Sequence, residues 1–143
     1  MTEGEGKRVI IIGCGRIGAH VAQRLADEGH RVCVIDSDPA SLERLGPAFP
    51  GSRVVGQGFD EEVLRRAQVD MADGVAVLTN VDATNFMVAR AVTALFGIRK
   101  MTVRVNDPEF HDFAQEMGWD TVELPDLVLR GVRDLLATAG GLG

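Results

Sequence analysis

Short runs of β-branched and apolar residues alternate along the chain with segments of helical period. Arg8–Ile12 (RVIII) reads as a first strand, and Arg16–Glu28 as a helix with Ile17, Val21 and Leu25 on one face. Gly29 ends that helix, and His30-Arg31 leads into a second strand, Val32–Asp36. Asp38-Pro39 supplies an N-cap and a first-turn proline for a short helix through Leu45. Arg53–Gly56 is a third strand, and Asp60, Glu61 and Glu62 then place acids in the first turn of another helix, where the dipole favours them. The unbroken apolar run Val75–Leu78 suits a central parallel strand buried on both faces. Asn80 or Asp82 caps the longest helix, through about Phe96, with Met87, Ala91 and Leu95 as its apolar stripe. Met101–Val105 is a fifth strand, followed by Asp107-Pro108 as another cap and proline start. Thr121–Leu124 is a short sixth strand, and Pro125 opens a final helix to about Ala137. The closing TAGGLG reads as a linker or fraying end.

Strands that alternate with helices pair in parallel through crossover connections. The expectation is therefore an α/β fold, a Rossmann-like doubly wound six-stranded parallel sheet with helices on both faces. A length of 143 residues suits one domain and one core. Its expected divisions are an N-terminal tail (1–6), a nucleotide-binding domain (7–124), and a C-terminal helix with a glycine-rich tail (125–143).

The first strand runs directly into G-x-G-x-x-G: Gly13, Gly15 and Gly18, with Cys14, Arg16 and Ile17 among them. A strand before it, a helix after it, and Asp36 at the end of the second strand are the context that a dinucleotide fingerprint requires. Gly13 permits the tight turn, Gly15 lets the backbone approach a pyrophosphate, and Gly18 lets the helix pack on the sheet. The helix N-terminus then offers N–H groups and partial positive charge to phosphate. Asp36 accepts from ribose hydroxyls and repels a 2′-phosphate, which disfavours NADP. Other polar residues gather at the same carboxyl edge: Ser37 and Asp38 beside Asp36, then Gln57-Gly58, Thr79-Asn80 and Asn106. Gln57 is placed to read an adenine edge, and Thr79-Asn80 to lie along the ribose-phosphate. For each, an ordinary loop or capping role is the alternative. Arg16 directs a guanidinium toward the phosphates.

A net charge of −6 argues against binding to nucleic acid or to an anionic membrane surface, and no apolar run is long enough to insert into a bilayer. The polar N-terminus suggests no signal peptide, hence a cytoplasmic protein. The two cysteines, Cys14 and Cys33, read as small buried thiols, and His20, His30 and His111 suggest no metal site. Hydride transfer needs a proton donor or acceptor beside the nicotinamide. The chain has no tyrosine, so no Tyr-x-x-x-Lys pair. Lys7, Lys100 and His30 precede strands, on the edge opposite the ligand crevice. No enzymatic activity is expected of the chain acting alone.

The segments RVIIIGCGRIGAHVAQRLADEGHRVCVIDSDPASLERL and RVVGQGFDEEVLRRAQVDMADGVAVLTNVDATNFMVARAVTALFGIRKMTVRVNDPEF resemble the TrkA-N family. These are also called KTN domains, the N-terminal half of RCK regulators of K⁺ conductance. The carrying elements are G-x-G-R-x-G, the V-I-D end of strand two, L-T-N-x-x-x-x-N at Leu78–Asn85, and R-V-N-D-P-E at Arg104–Glu109. The resemblance adds Val81, Asn85 and Arg104 to the candidate site. It implies a cytoplasmic regulatory domain that binds NAD(H), ATP or ADP and controls a K⁺ channel or transporter by ligand-dependent conformational change. It further implies that the domain lies at the inner face of the membrane through its membrane partner. Arg16 would meet the phosphates, Asp36 the ribose. The resemblance also implies a homodimer, extending to a higher ring. Where relatives often read G-D-A-T-D after strand three, this chain has Gly56-Gln57-Gly58-Phe59-Asp60. Some members place a glutamate after the last strand's proline as an intersubunit divalent-cation ligand, and Asp126 occupies that position. Two other readings stay open at this point: the NAD-binding domain of an oxidoreductase whose substrate domain is absent, and the regulatory domain of a cation/proton antiporter.

Overall fold

The computed structural model describes residues 6–142, so all but residue 6 of the expected N-terminal tail lies outside the described residues. Six strands form one sheet: β1 (Arg8–Ile12), β2 (Arg31–Asp36), β3 (Ser52–Val55), β4 (Gly74–Val77), β5 (Met101–Val105) and β6 (Asp120–Glu123). Every pairing is parallel and the order is β3-β2-β1-β4-β5-β6, the Rossmann arrangement. The strand order reverses between β1 and β4, which opens a crevice at their carboxyl ends.

The helices are α1 (Arg16–Asp27), α2 (Pro39–Leu42), α3 (Glu61–Arg66), α4 (Asp82–Phe96), α5 (His111–Glu116) and α6 (Leu124–Leu142). Alternation along β1 sends Ile10 and Ile12 into a core shared with Leu64, Val88 and Val92 of α3 and α4. Ile11 faces the other way, into a core with Ala19 and Ala22 of α1 and Leu42 of α2.

The two expected aspartate caps, Asp38 and Asp107, are present, and Asp60, expected in the first turn, is a third cap. Asp38, Asp60 and Asp107 accept from the backbone N–H groups of Ala40 (2.9 Å), Glu62 (2.9 Å) and Glu109 (3.0 Å). The short helix from Pro39 is α-helical only to Leu42 and tightens into a 3₁₀ turn over Glu43–Leu45.

Three expectations are corrected. Neither Asn80 nor Asp82 caps α4: its N-cap is Val81, with no side-chain bond. Asp82 is drawn away by the loop after β5, where its carboxylate accepts from the N–H groups of Asn106 and Asp107, each at 2.8 Å. The stripe Met87–Ala91–Leu95 is not the core face of α4, since Met87 is 52% and Leu95 42% exposed. Phe86, Val88, Ala89 and Val92 are buried instead. Apolar residues surround this helix, so spacing alone had no polar face to read against. Finally, the closing residues are not an irregular linker: α6 continues to Leu142, with Thr138 Oγ1 donating to the Asp134 carbonyl at 3.1 Å. None of the described helices is long and apolar enough to cross a membrane.

Candidate nucleotide site

The loop between β1 and α1 uses its three glycines for different physical reasons. Gly13 has φ +106° and donates its N–H to the Ile35 carbonyl at 2.9 Å. A Cβ there would stand 2.8 Å from the Thr79 nitrogen. A Cβ on Gly18 would fall 1.9 Å from the Gly13 carbonyl oxygen, so that residue sets how closely α1 lies on its own loop. Gly15 has ordinary backbone angles, φ −79°, and nothing within 4 Å of a Cβ position. Its missing side chain keeps the crevice floor open. The first turn of α1 has no side-chain cap and no acid, leaving its N–H groups available to an anion.

Asp36 closes the proximal side. Its Oδ2 accepts from Cys14 N–H and its Oδ1 from Asp38 N–H, both at 2.8 Å, which fixes the half-buried carboxylate and leaves it further accepting capacity. Together these elements border a cleft of about 710 Å³. The glycine loop contributes Gly13, Gly15, Arg16 and Ile17; the β2 end contributes Asp36 and Ser37. Gln57 enters after β3, Thr79, Asn80 and Val81 after β4, and Arg104 from β5. Its one acid is Asp36, set among three arginines, in a chain of net charge −6.

Six candidates do not face this cleft, among them Asn106, whose Nδ2 donates to the Asn80 carbonyl and to Asp82 Oδ1. Cys14 is fully buried and contributes its backbone N–H to Asp36. Burial, then the Asp36 charge, pushes its thiol pKa up, against opposing pulls from Arg44 and Arg53. Gly18 lies under the loop, and Asp38 is spent on capping α2. Gly58 is buried, its Cβ position 2.5 Å from Ile12, and lines a small adjoining recess with Gln57. Asn85 is fully buried and fully engaged. Its Oδ1 accepts from the Thr79 N–H (3.1 Å) and hydroxyl, while Nδ2 donates to the carbonyls of Thr79 and Arg104, both at 3.0 Å. Asn85 therefore ties the cleft-lining ends of β4 and β5 together, a positioning role.

Four cleft residues went unrecognised in the sequence: Ser41, Arg44, Leu78 and Thr84. Gln23 Nε2 on α1 donates to the carbonyls of Arg44 (3.3 Å) and Leu45 (3.1 Å), holding that 3₁₀ turn against α1. The readable signal was helical spacing: Ser41 and Arg44 are three apart after the β2 acid, as Val81 and Thr84 are after β4.

Asp126 stands exposed in the first turn of α6. No group of three or more His, Cys, Asp or Glu side chains able to hold a metal occurs among the described residues. A divalent cation takes several oxygen ligands, so the expected intersubunit site would need oxygens besides Asp126, from a second copy. A second concavity of about 490 Å³ lies away from the cleft, on the α4–α5 face, and is almost wholly apolar, with Phe86, Met87, Phe110 and Phe113 on its walls.

Comparison with known proteins identifies the family and the fold. The Trk system potassium uptake protein TrkA of Streptomyces coelicolor is 41% identical over 114 residues, which are 80% of this chain and 51% of that protein. The chain thus spans about half the length of that relative. The structure of GsuK bound to ADP matches with a TM-score of 0.75 at 27% identity, over 91% of this chain and 34% of that one. The TrkA-N domain of inner membrane protein YbaL from Escherichia coli shares the fold, with a TM-score of 0.81 at 17% identity, covering 92% of this chain and 97% of that one. The model of the TrkA-N domain matches residues 9–125. The chain belongs to the TrkA-N domain family.

Proposed function

We propose that this chain is a nucleotide-sensing regulatory domain that controls a K⁺ channel or transporter. Its ligand is NAD(H) or an adenine nucleotide, ATP or ADP, and it works without catalysing a reaction. The observation that carries the reading is the cleft itself. An uncapped helix N-terminus and Arg16 flank the open position at Gly15, and the fixed Asp36 carboxylate stands on the ribose side. A pyrophosphate fits that floor and a ribose fits that acid. The titratable side chains on the walls are Asp36 and arginines, which recognise a nucleotide better than they would transfer protons at neutral pH. The potassium-uptake relative and the ADP complex of GsuK support both halves of the reading.

In this reading the domain is cytoplasmic, works as a homodimer or as part of a larger ring, and reaches the inner face of the membrane through its partner. Along α6, Val128, Leu135 and Leu136 are 68%, 67% and 63% exposed, an apolar surface that a second copy would cover. Binding of one nucleotide in preference to another would shift the assembly between two arrangements. The test is calorimetry of the chain with NADH, NAD⁺, ATP and ADP. Wild type binds at least one, and Asp36→Ala weakens that binding by about tenfold or more. No binding by any of the four would overturn the reading.

A further inference from the structure

A further concavity opens at the other end of the sheet. The amino ends of β1, β2 and β3 and the last turn of α3 border a space of about 470 Å³. It lies a strand's length from the nucleotide cleft, roughly 15 Å, and shares no lining residue with it. Arg8 and Arg31 are partners in the β1–β2 register, so neighbouring strands, about 4.8 Å apart, carry two guanidinium groups side by side. By alternation both share a face with Ile10 and Cys33, which lie in the core with Leu64 of α3. Like charges opposed on one sheet face repel.

Neither arginine forms an ion pair among the described residues. The Arg8 guanidinium is held by a neutral group, with Nη1 donating to Gln68 Oε1 at 2.8 Å. Asp73 reaches this edge, but its Oδ2 accepts from the Arg8 backbone N–H at 2.8 Å, and it is not on the cavity wall. The other polar groups on the walls offer donors. His30 Nδ1 accepts from the Lys7 N–H at 3.1 Å, which leaves a proton-bearing Nε2. Gln68 gives its oxygen to Arg8 and keeps its amide N–H groups. It does so at φ +61°, the only non-glycine residue in the left-handed region among those described. Glycine or asparagine is the usual occupant of that region after a helix. Ser52 adds a hydroxyl, and Arg66 a third guanidinium, its Nη2 on the Val55 carbonyl at 3.0 Å. The floor is apolar, with Val9, Val32 and Ala67. No carboxylate lines the space, in a chain of net charge −6.

We propose that this amino-edge cavity binds a small molecule that carries a phosphate monoester on an apolar body, its dianion seated between Arg8 and Arg31. A phosphate monoester carries a charge of about −1.5 to −2 at neutral pH, which answers two adjacent guanidinium groups. Their planar forks suit its oxygens, and the donors of His30, Ser52 and Gln68 stand around them. The apolar floor takes the body of the ligand, and the volume is that of a small-molecule site. An anion there relieves the repulsion between the two strands.

The experiment is amide NMR of the isotope-labelled whole chain titrated with phenyl phosphate, with phenol as the uncharged control, for wild type, Arg31→Gln and Arg31→Lys. Arg31 is exposed, so its replacement leaves the core intact. In wild type the amides of Arg31, Ser52 and Gln68 should shift and saturate with phenyl phosphate and not with phenol. Arg31→Gln should weaken that binding by about tenfold or more. Any shifts at Gly13 to Arg16 should stay as in wild type. Arg31→Lys, which keeps the charge but not the fork, should retain part of the affinity. Phenyl phosphate should also raise the urea midpoint of wild type and leave that of Arg31→Gln unchanged. The wild-type chain should not sediment with vesicles of phosphatidylcholine and phosphatidic acid. Sedimentation that Arg31→Gln abolishes would overturn the choice of a free molecule over a lipid headgroup. No saturable shift at the amino edge would overturn the inference, as would edge shifts that phenol reproduces or that Arg31→Gln leaves unchanged.

Discussion

On the β1–β2–β3 side, the central strands are packed on both faces: Ile10 and Ile12 against α3 and α4, Ile11, Val32 and Val34 against α1 and α2. On the β4–β5–β6 side, α4 and α5 cover one face, burying Val75, Val77, Val103 and Val105. The opposite face carries Ala76, Thr102 and Arg104, all only half-buried. The helix that follows, α6, touches the sheet chiefly at β6 and is exposed from Pro125 to Ala139. The proximal half is packed on both faces and carries the glycine loop and Asp36. The distal half is where packing stops short and where Arg104 stands on the cleft wall. In the proposed function the residues that would hold a nucleotide's ribose and pyrophosphate sit on the half packed on both faces, and the exposed α6 belongs to the other.

The largest effect expected contrasts two glycines of one loop. Gly18→Ala drives a Cβ to 1.9 Å from the Gly13 oxygen, backbone that cannot yield cheaply. It should cost about 3 kcal/mol or more, read as a lowered urea midpoint or loss of soluble protein. Gly15→Ala meets nothing within 4 Å and no strained φ, so the midpoint should shift by less than about 0.5 kcal/mol. Its methyl would occupy the crevice floor, and nucleotide affinity should fall by about tenfold or more. Equal stability losses in the two variants would remove the distinction between a packing glycine and a binding glycine.

Next in size is the joint between the halves. Asn85→Ala removes the side-chain partner of the Thr79 N–H and of the carbonyls of Thr79 and Arg104, while the Thr79 hydroxyl keeps the Val81 carbonyl at 3.2 Å. About 2–3 kcal/mol of stability should be lost. Hydrogen exchange should rise at the ends of β4 and β5 before it rises in β2. Uniform loosening of the whole sheet would mean that the halves are not separable in the way described.

On α6 the expected effect is smaller in stability and visible in assembly. Val128→Asp with Leu135→Asp alters two highly exposed positions, so the folding of a single chain should change by less than about 1 kcal/mol. Sedimentation velocity should show wild type as a dimer or larger and the double variant as a monomer. A wild-type chain that sediments as a monomer at tens of micromolar would place the missing cover for α6 in another protein.

How far the sequence revealed this division follows from where each feature gets its geometry. The glycine loop, Asp36 and the caps Asp38 and Asp107 were legible because each acts on residues within a turn of itself or at a fixed place in the β1–α1–β2 unit. Arg44 was missed because its place depends on Gln23 pinning a 3₁₀ turn across 21 residues. Asp82 was read as a cap because its N–H partners, Asn106 and Asp107, lie 24 and 25 residues away. The buried face of α4 was misjudged because only the assembled sheet decides which side of an apolar helix is inside. Asn85 was placed in the site by family pattern, yet its side chain serves the backbone beneath.

The smallest expected effect comes from alkaline titration, and it bears on the proximal half alone. Cys14 and Cys33, the chain's two cysteines, both lie on that side. Burial raises both thiols above the ordinary value of 9.0; the Asp36 charge adds to the shift at Cys14, and a hydrogen bond with Ser52 offsets part of it at Cys33. In the unfolded chain each thiol ionises near 9.0, whereas in the folded chain it keeps its proton to higher pH. The folded state therefore binds more protons above that value, and stability falls as pH rises through it, with no contribution below. The slope is bounded at about 1.4 kcal/mol per pH unit for each thiol. With no tyrosine and only Lys7 and Lys100 as lysines, few other side chains titrate in that range. Urea midpoints should be level from pH 7 to 8 and decline above pH 9, and Cys14→Ala with Cys33→Ala should flatten the decline. A decline of the same size in the double variant would assign it to groups outside the proximal core.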